Sequence, residues 1–481
     1  MTRHRVTTRR QLFQEVACGF GYLALAGVCA DAGLSTAAAT PGESDRRRGS
    51  FLTPRSPHFV PRAKRVIFLF MQGGPSQVDT FDPKPRLERD DGEKLPFHVA
   101  RTRKVTDERL MKSLWSFRQH GQCGRWVSEL FPHLARHVDD LCFIRSMHTD
   151  GVAHGPATLA LHTGATSLIR PSMGAWVVYG LGTENNNLPG FVTINPSARM
   201  GGPRNYSSAF LPAGYQGTTI GRVGVPAAEA EIRHLTNAEL SPAEQRRRFE
   251  LLQALNRGQI DRAPGDDELQ AVVESFELAY RMQSEAPSLM DLSGESAATL
   301  RLYGIGEKPT DDYGRQCLLA RRLAEAGVRY IQVNYSDNSN NPRWDQHSNM
   351  KKHEQHARAV DQPVAGLLED LKARGLLEDT LVWWGGEFGR TPFAQGRDGR
   401  DHNPRGFTVW LAGSGVRPGH AHGETDEFGY NAVVDKVHMH DLHATVLHLL
   451  GLDHEKLSFR YAGRDFRLTD VYGEVVKEIL S

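Results

Sequence analysis

Three stretches of this chain carry side chains able to hold a cation or move a proton. Asp345-Gln346-His347 sets a carboxylate and an imidazole two residues apart. Glu387 closes the apolar run Leu381-Val382-Trp383-Trp384-Gly385-Gly386, and Asp401-His402-Asn403 leads into a second run, Phe407 to Leu411. The third stretch, Ser146 to Pro156, brings His148 and His154 to the start of a helical pattern. Carboxylate oxygen and imidazole nitrogen together suit a divalent metal; zinc or manganese fits this set, with calcium as the alternative. Each group also has a structural reading. Asp345 and His347 fit a polar surface loop, Glu387 a helix cap or an Arg390 pair, and the two histidines a capped helix start. Asp401 is placed to orient His402. Asp79 and Asp82, after the first apolar run, fit a turn.

The elements that must position these groups alternate in type. Val66 to Phe70 is a short apolar run stopped by Gly73-Gly74-Pro75, as a buried strand would be. Further strands are expected near Leu141 to Arg145, Phe191 to Ile194, Val328 to Val333, Leu381 to Trp384 and Phe407 to Leu411. Helical patterns follow His154 and Ser172, cover Arg315 to Ala326, and run from Lys352 to Arg374. Strands alternating with helices imply an α/β fold with a mostly parallel sheet covered on both faces. Ligands of such sheets bind beyond the carboxyl ends of the strands, where all three stretches fall. Ser241-Pro242-Ala243-Glu244 reads as a capping box with a first-turn proline. It opens a charged helical block that makes residues 228–304 an insertion. The segment from Glu387 to Asp401, rich in Gly and charge, reads as a loop.

Bulk properties exclude some functions. A formal charge of +1 over 481 residues offers no basic footprint for nucleic acid. The loop after the first strand lacks both G-x-G-x-x-G and a glycine-lysine ending, and no G-x-S-x-G elbow occurs, which disfavours dinucleotide, P-loop and serine-hydrolase chemistry. Five cysteines at scattered positions make neither a disulfide framework nor a zinc ribbon. At the N-terminus, Arg9-Arg10, a modestly apolar Val16 to Cys29 and Ala37-Ala38-Ala39 follow the order of a secretory leader. Residues 1–39 therefore read as a twin-arginine-type signal peptide, 40–62 as a linker, and 63–481 as the folded domain. No later segment is long and apolar enough to span a bilayer, so the expected location is the periplasm or the exterior.

The pieces GGPSQVDTFDPKP, CLLARRLAEAGVRYIQV, WDQH, TLVWWGGEFGRTP, GRDHNP and DLHATVLHLLG, in this order, resemble the exported bacterial family known as domain of unknown function 1501. More distantly the chain is similar to the alkaline phosphatase and sulfatase superfamily. The resemblance implies a three-layer α/β sandwich with metal at the strand ends. His154-Gly155-Pro156-Ala157-Thr158 through Gly164 resembles the sulfatase C-x-P-S-R-x-x-L-L-T-G signature, with His154 where the nucleophile would stand. Gln72 takes the place of the first strand's metal-binding Asp, with Asp79 nearby. Glu387-Phe388 replaces the late Asp-His pair. What the resemblance retains is one metal site made of Asp345, His347 and His402. Glu387 is then expected to complete the sphere or act as base, and His154 to be nucleophile, proton donor or additional ligand. Gln72, Asp79, His148 and Asp401 are supporting candidates. The function implied is an exported metal-dependent hydrolase acting on small-molecule or glycan esters of phosphate or sulfate. The alternative is a catalytically degenerate scaffold that binds glycans or a protein partner in the cell envelope.

Overall fold

The computed structural model describes residues 52–481, apart from 98, 100–107, 234, 236–238 and 263–265. The expected leader with Cys18 and Cys29, and the linker up to residue 51, lie outside the described residues. Nine strands form the main sheet: β1 (Arg65–Met71), β2 (Leu141–His148), β3 (Phe191–Ile194), β4 (Thr218–Ile220), β5 (Tyr330–Tyr335), β6 (Thr380–Gly385), β9 (Phe407–Gly413), β10 (His420–His422) and β11 (Val437–His438). Between β6 and β9 stands a separate two-stranded ribbon, β7 (Gly389–Gln395) and β8 (Gly399–Asn403). The order across the sheet is β10-β2-β9-β6-β1-β5-β3-β4, with β11 also paired to β2. Every pair is parallel except those of β9, which runs against both β6 and β2.

Central strands of such a sheet are buried on both faces, so their side chains sort by parity. Ile67, Leu69 and Met71 of β1 enter one core, and Val66, Phe68 and Phe70 the other. Trp384 and Trp410 join the first core, and Trp383, Val409 and Leu411 the second. The helices of nine or more residues, in chain order among the described residues, are α1 (His154–Thr163), α2 (Met173–Leu181), α3 (Pro242–Ile260), α4 (Asp267–Met290), α5 (Asp311–Glu325), α6 (Lys352–Ala373) and α7 (Met439–Leu449). Helices α5 and α6 cover the first face through residues such as Leu318, Leu323, Val364 and Leu367. On the second face α1, α2 and α7 contribute Leu161, Trp176, Leu442 and Val446. Three layers result, the α/β sandwich expected from the sequence. Among the described residues no helix is long and apolar enough to cross a membrane, and Cys123, Cys142 and Cys317 are unpaired.

The charged helical block expected after Ser241 consists of α3 and α4, followed by a short helical segment, Ala297–Leu302. Ser241 caps α3 as anticipated: its hydroxyl accepts from the Glu244 amide, and the Glu244 carboxylate accepts from the Ser241 amide at 3.0 Å. The stretch between Glu387 and Asp401, expected as a loop, is instead the β7–β8 ribbon. Its buried members are not apolar. Arg390 and Arg400 are fully buried and satisfied by carbonyls and carboxylates: Arg400 Nε donates to Asp79 Oδ2 at 2.7 Å and its NH1 to the Thr391 carbonyl at 3.0 Å. Burial bought with hydrogen bonds leaves no hydrophobic alternation to read.

Candidate metal centre

The loop after β5 carries Asp345 and His347 and is stitched to its neighbours by main chain. The Trp344 amide donates to the Gln72 carbonyl at 3.1 Å, and the Arg400 amide to the Gln346 carbonyl at 3.0 Å. Two glycines permit these approaches. A Cβ at Gly73, whose φ is +105°, would meet the Asp345 and Trp344 amides at 2.7 Å, and one at Gly399 would meet the His347 carbonyl at 1.9 Å. Asp345 and His347 are thereby pressed between the end of β1 and the ribbon. His402 reaches them from β8, and His154, the first residue of α1, closes the group.

Four side chains converge: His154, Asp345, His347 and His402 each offer a ligand atom within 4.8 Å of the others'. Asp345 is the hub. Its Oδ1 lies 2.8 Å from His347 Nε2 and 3.3 Å from His402 Nε2, and its Oδ2 lies 3.1 Å from His154 Nε2. The other ring nitrogen of each histidine is taken by an oxygen. His154 Nδ1 donates to Glu387 Oε1 at 2.6 Å, His402 Nδ1 to the Val152 carbonyl at 2.9 Å, and His347 Nδ1 to Gln395 Oε1. These acceptors select the tautomer with its proton on Nδ1 and turn the Nε2 lone pairs inward. His347 Nε2 and His402 Nε2 face each other at 3.0 Å, and His154 Nε2, buried, faces the Asp345 carboxylate at 3.1 Å. Two lone pairs so placed repel unless something positive lies between them. Three imidazole nitrogens and a carboxylate oxygen, backed by hydrogen-bond acceptors, are the donor set of a zinc- or manganese-type site.

Charge around the group is balanced from behind. Arg390, fully buried, sets NH2 at 2.7 Å from Asp345 Oδ1 while its Nε donates to the Gly74 carbonyl at 3.1 Å. Without a cation, protons on the imidazoles take its place: burial by itself would raise the Asp345 carboxyl, but hydrogen bonds from protonated His154, His347 and His402 together with the Arg390 charge hold it well below the usual carboxylate range. Burial also works against protonation of His154, and its bonds to Asp345 and Glu387 outweigh it, so that imidazole is raised. At His402 burial wins, and the ring is lowered. One edge is open: the side chains of His347 and His402 are 26% and 17% exposed, against 2% for Asp345.

The remaining sequence candidates lie outside this group. Glu387, expected as a ligand or base, is fully buried and turned away. Both its oxygens accept from the Gly73 amide, at 3.0 and 3.1 Å, and it reaches the cluster only through His154. It does not pair with Arg390, whose carboxylate partner is Asp345. Asp79 answers Arg400, and Gln72 Oε1 accepts from the Asp337 amide at 3.2 Å. His148 stands beside His438, ring centroids 5.0 Å apart, in a separate histidine group. Asp401 is nearer: its Oδ1 is 3.7 Å from His347 Nδ1. His438 caps α7 with Asp441 in a capping box. Missed from the sequence were Arg390, Gln395 and the Val152 carbonyl. GGEFGR offered a sign of the first, an arginine at the same strand end as Glu387. If Glu387 sets the His154 ring, Glu387→Ala should weaken metal binding by about 10- to 100-fold, measured by competition with a chelating dye, with the other three ligands intact.

Fold and cluster together define a class: a three-layer α/β protein with a His₃Asp group at the carboxyl end of its sheet. Residues 63–480 match the family described as "Protein of unknown function (DUF1501)", and the chain belongs to that family. No curated protein compared with it matches. Among solved structures, the lipoteichoic acid synthase LtaP from Listeria monocytogenes is 8% identical, with 87% of this chain and 78% of that one covered, at a TM-score of 0.37. The PsFucS1 sulfatase from Pseudoalteromonas sp. is 11% identical over 82% and 68% of the two chains, with a TM-score of 0.32. A protein in the alkaline phosphatase superfamily from Vibrio parahaemolyticus is 9% identical over 84% and 70%, with a TM-score of 0.35.

Proposed function

We propose that this protein is an exported, metal-dependent hydrolase of phosphate or sulfate esters. The observation that carries this is the common orientation of His154, His347 and His402, each with Nδ1 on an oxygen and Nε2 turned toward Asp345. Of the three roles open to His154, that of ligand is the one its orientation supports. When bound, a zinc or manganese ion would supply Lewis-acid polarisation of an ester oxygen and a bound water of lowered pKa. The chain's own part is to hold and orient. Asp345 and the histidines fix the donors, Glu387 fixes His154, and Arg390 compensates the Asp345 charge from the buried side. Helix α1 begins at His154, so the positive end of its dipole lies at the cluster and favours an anionic substrate. The exposed edges of His347 and His402 are where an ester would enter. Export rests on Arg9-Arg10 and the apolar stretch that follows.

The number of protein donors favours a second reading. Four ligands close a tetrahedral zinc site, as structural sites do, which suits a non-catalytic scaffold in the envelope. One experiment separates the two. Metal content is measured on the mature chain recovered from the envelope fraction, and a panel of phosphate monoesters, diesters and sulfate esters is assayed before and after chelation. Turnover lost with the metal and restored by zinc or manganese supports the hydrolase. Stoichiometric metal without turnover leaves the scaffold standing, and absence of both ends the proposal.

A further inference from the structure

The insertion carries an apolar stripe with a charge pattern of its own. Helix α3 lays its inner face on α4, where Phe249 stacks on Tyr280 with centroids 4.3 Å apart and Gln245 bonds Gln283 at 3.0 Å. On the outer side Leu251 and Leu255 are 63% and 59% exposed, and Leu252, at the flank next to the inner face, is 42% exposed. Leu251 and Leu255 sit one turn apart on one line of the helix, which continues through Arg248 and Glu244 one way and toward Arg262 the other, all exposed. A single exposed leucine is ordinary surface, whereas three within one turn make a patch that calls for a partner.

We propose that this face joins two copies of the chain, α3 packing antiparallel on its counterpart about a two-fold axis level with residue 253. Such an interface must be self-complementary, and the sequence of α3 is. Residues equidistant from the axis meet, so Leu251 faces Leu255 of the second copy and Glu244 stands level with Arg262. Arg248 comes level with Gly258, so no like charges are opposed. Arg247 falls two residues, about 3 Å of helix rise, from the level of Asp261 on the same flank. A parallel arrangement in register would set Arg248 against Arg248 and Glu244 against Glu244. An anionic lipid surface is a poorer occupant, because Glu244, Glu250 and Asp261 interrupt the arginines.

The test is sedimentation of the full chain across a dilution series. A reversible dimer is expected. Leu255→Asp should raise its dissociation constant at least ~10-fold by opposing carboxylates within the apolar stripe. Arg262→Glu breaks the exposed pair on both sides of the axis and should raise it about tenfold, and adding Glu244→Lys should restore it. Circular dichroism checks that these surface variants stay folded. A chain that is monomeric at every concentration, a dimer indifferent to Leu255→Asp, a double variant that gains nothing over Arg262→Glu, or a monomer that instead sediments with phosphatidylglycerol vesicles each overturns the proposal.

Discussion

Asp345→Asn is expected to abolish stoichiometric metal binding, with affinity falling on the order of 10³-fold, roughly 4 kcal/mol. The figure follows from position. Asp345 is the only anionic member of the four-residue group, and its two oxygens lie within 3.3 Å of all three Nε2 atoms. Asparagine keeps the shape and removes the charge, so the imidazoles remain while the oxygen ligand becomes a weak neutral one. A second consequence separates this from simple misfolding. Arg390 loses its carboxylate partner in a site where its side chain is fully buried, which costs about 3 kcal/mol of folding stability. Metal content by elemental analysis and affinity by chelator competition read the first effect; the urea midpoint of metal-free protein reads the second. A variant that keeps its metal at unchanged affinity would show that the cluster is only a buried hydrogen-bond network.

How far the sequence reveals this arrangement depends on what buries each residue. Strands β1, β6 and β9 are legible because central strands covered on both faces need apolar side chains, and runs such as Val66 to Phe70 supply them. The ribbon β7–β8 is not, because Arg390, Thr391, Arg400 and Asn403 are buried through hydrogen bonds that leave no periodic signature. Asp345, His347 and His402 could be grouped by residue type, strand-end position and family resemblance. For His154 the resemblance left three roles open, and setting its Nε2 beside the other ligands required the fold, since nothing near residue 154 names its partners. Glu387 shows the limit most clearly. Its orientation is set by the Gly73 amide, 314 residues away along the chain, and no local pattern around Glu387 encodes that. A carboxylate at a strand end looks like a ligand until the donor behind it is known.

Acid should unfold this protein more readily than its near-neutral charge suggests, and buried histidines away from the cluster are the cause. Burial holds His443 down to about 3, with the neighbouring His440 adding to the effect, and it holds His162 and His356 down to about 4. In the unfolded chain all three titrate near ~6.5. Below that pH the unfolded state binds protons the folded state refuses, so stability falls as pH drops toward the folded values. At pH ~4.5 each group costs between 2 and 3 kcal/mol, together on the order of 7 kcal/mol, comparable to the whole stability of a typical domain. One group opposes them. Asp361, which accepts from the His133 and Leu134 amides at 2.8 Å, is pushed up by burial to about 6. It takes up its proton in the folded state first, adding stability as pH falls from about 6 toward ~3.8, and offsets roughly one histidine. The balance is net loss between about pH 6.5 and 4.5. Urea midpoints of chelator-treated protein across that range measure it with metal release removed. His443→Gln isolates one contribution: Nε2 of His443 donates to the Leu161 carbonyl at 2.8 Å, a bond the glutamine amide is able to replace, without a proton to gain. The variant should lose about 3 kcal/mol less than the parent between pH 7.5 and 4.5. Equal losses in the two proteins would mean that His443 is hydrated or protonated within the fold, and that acid attacks elsewhere first.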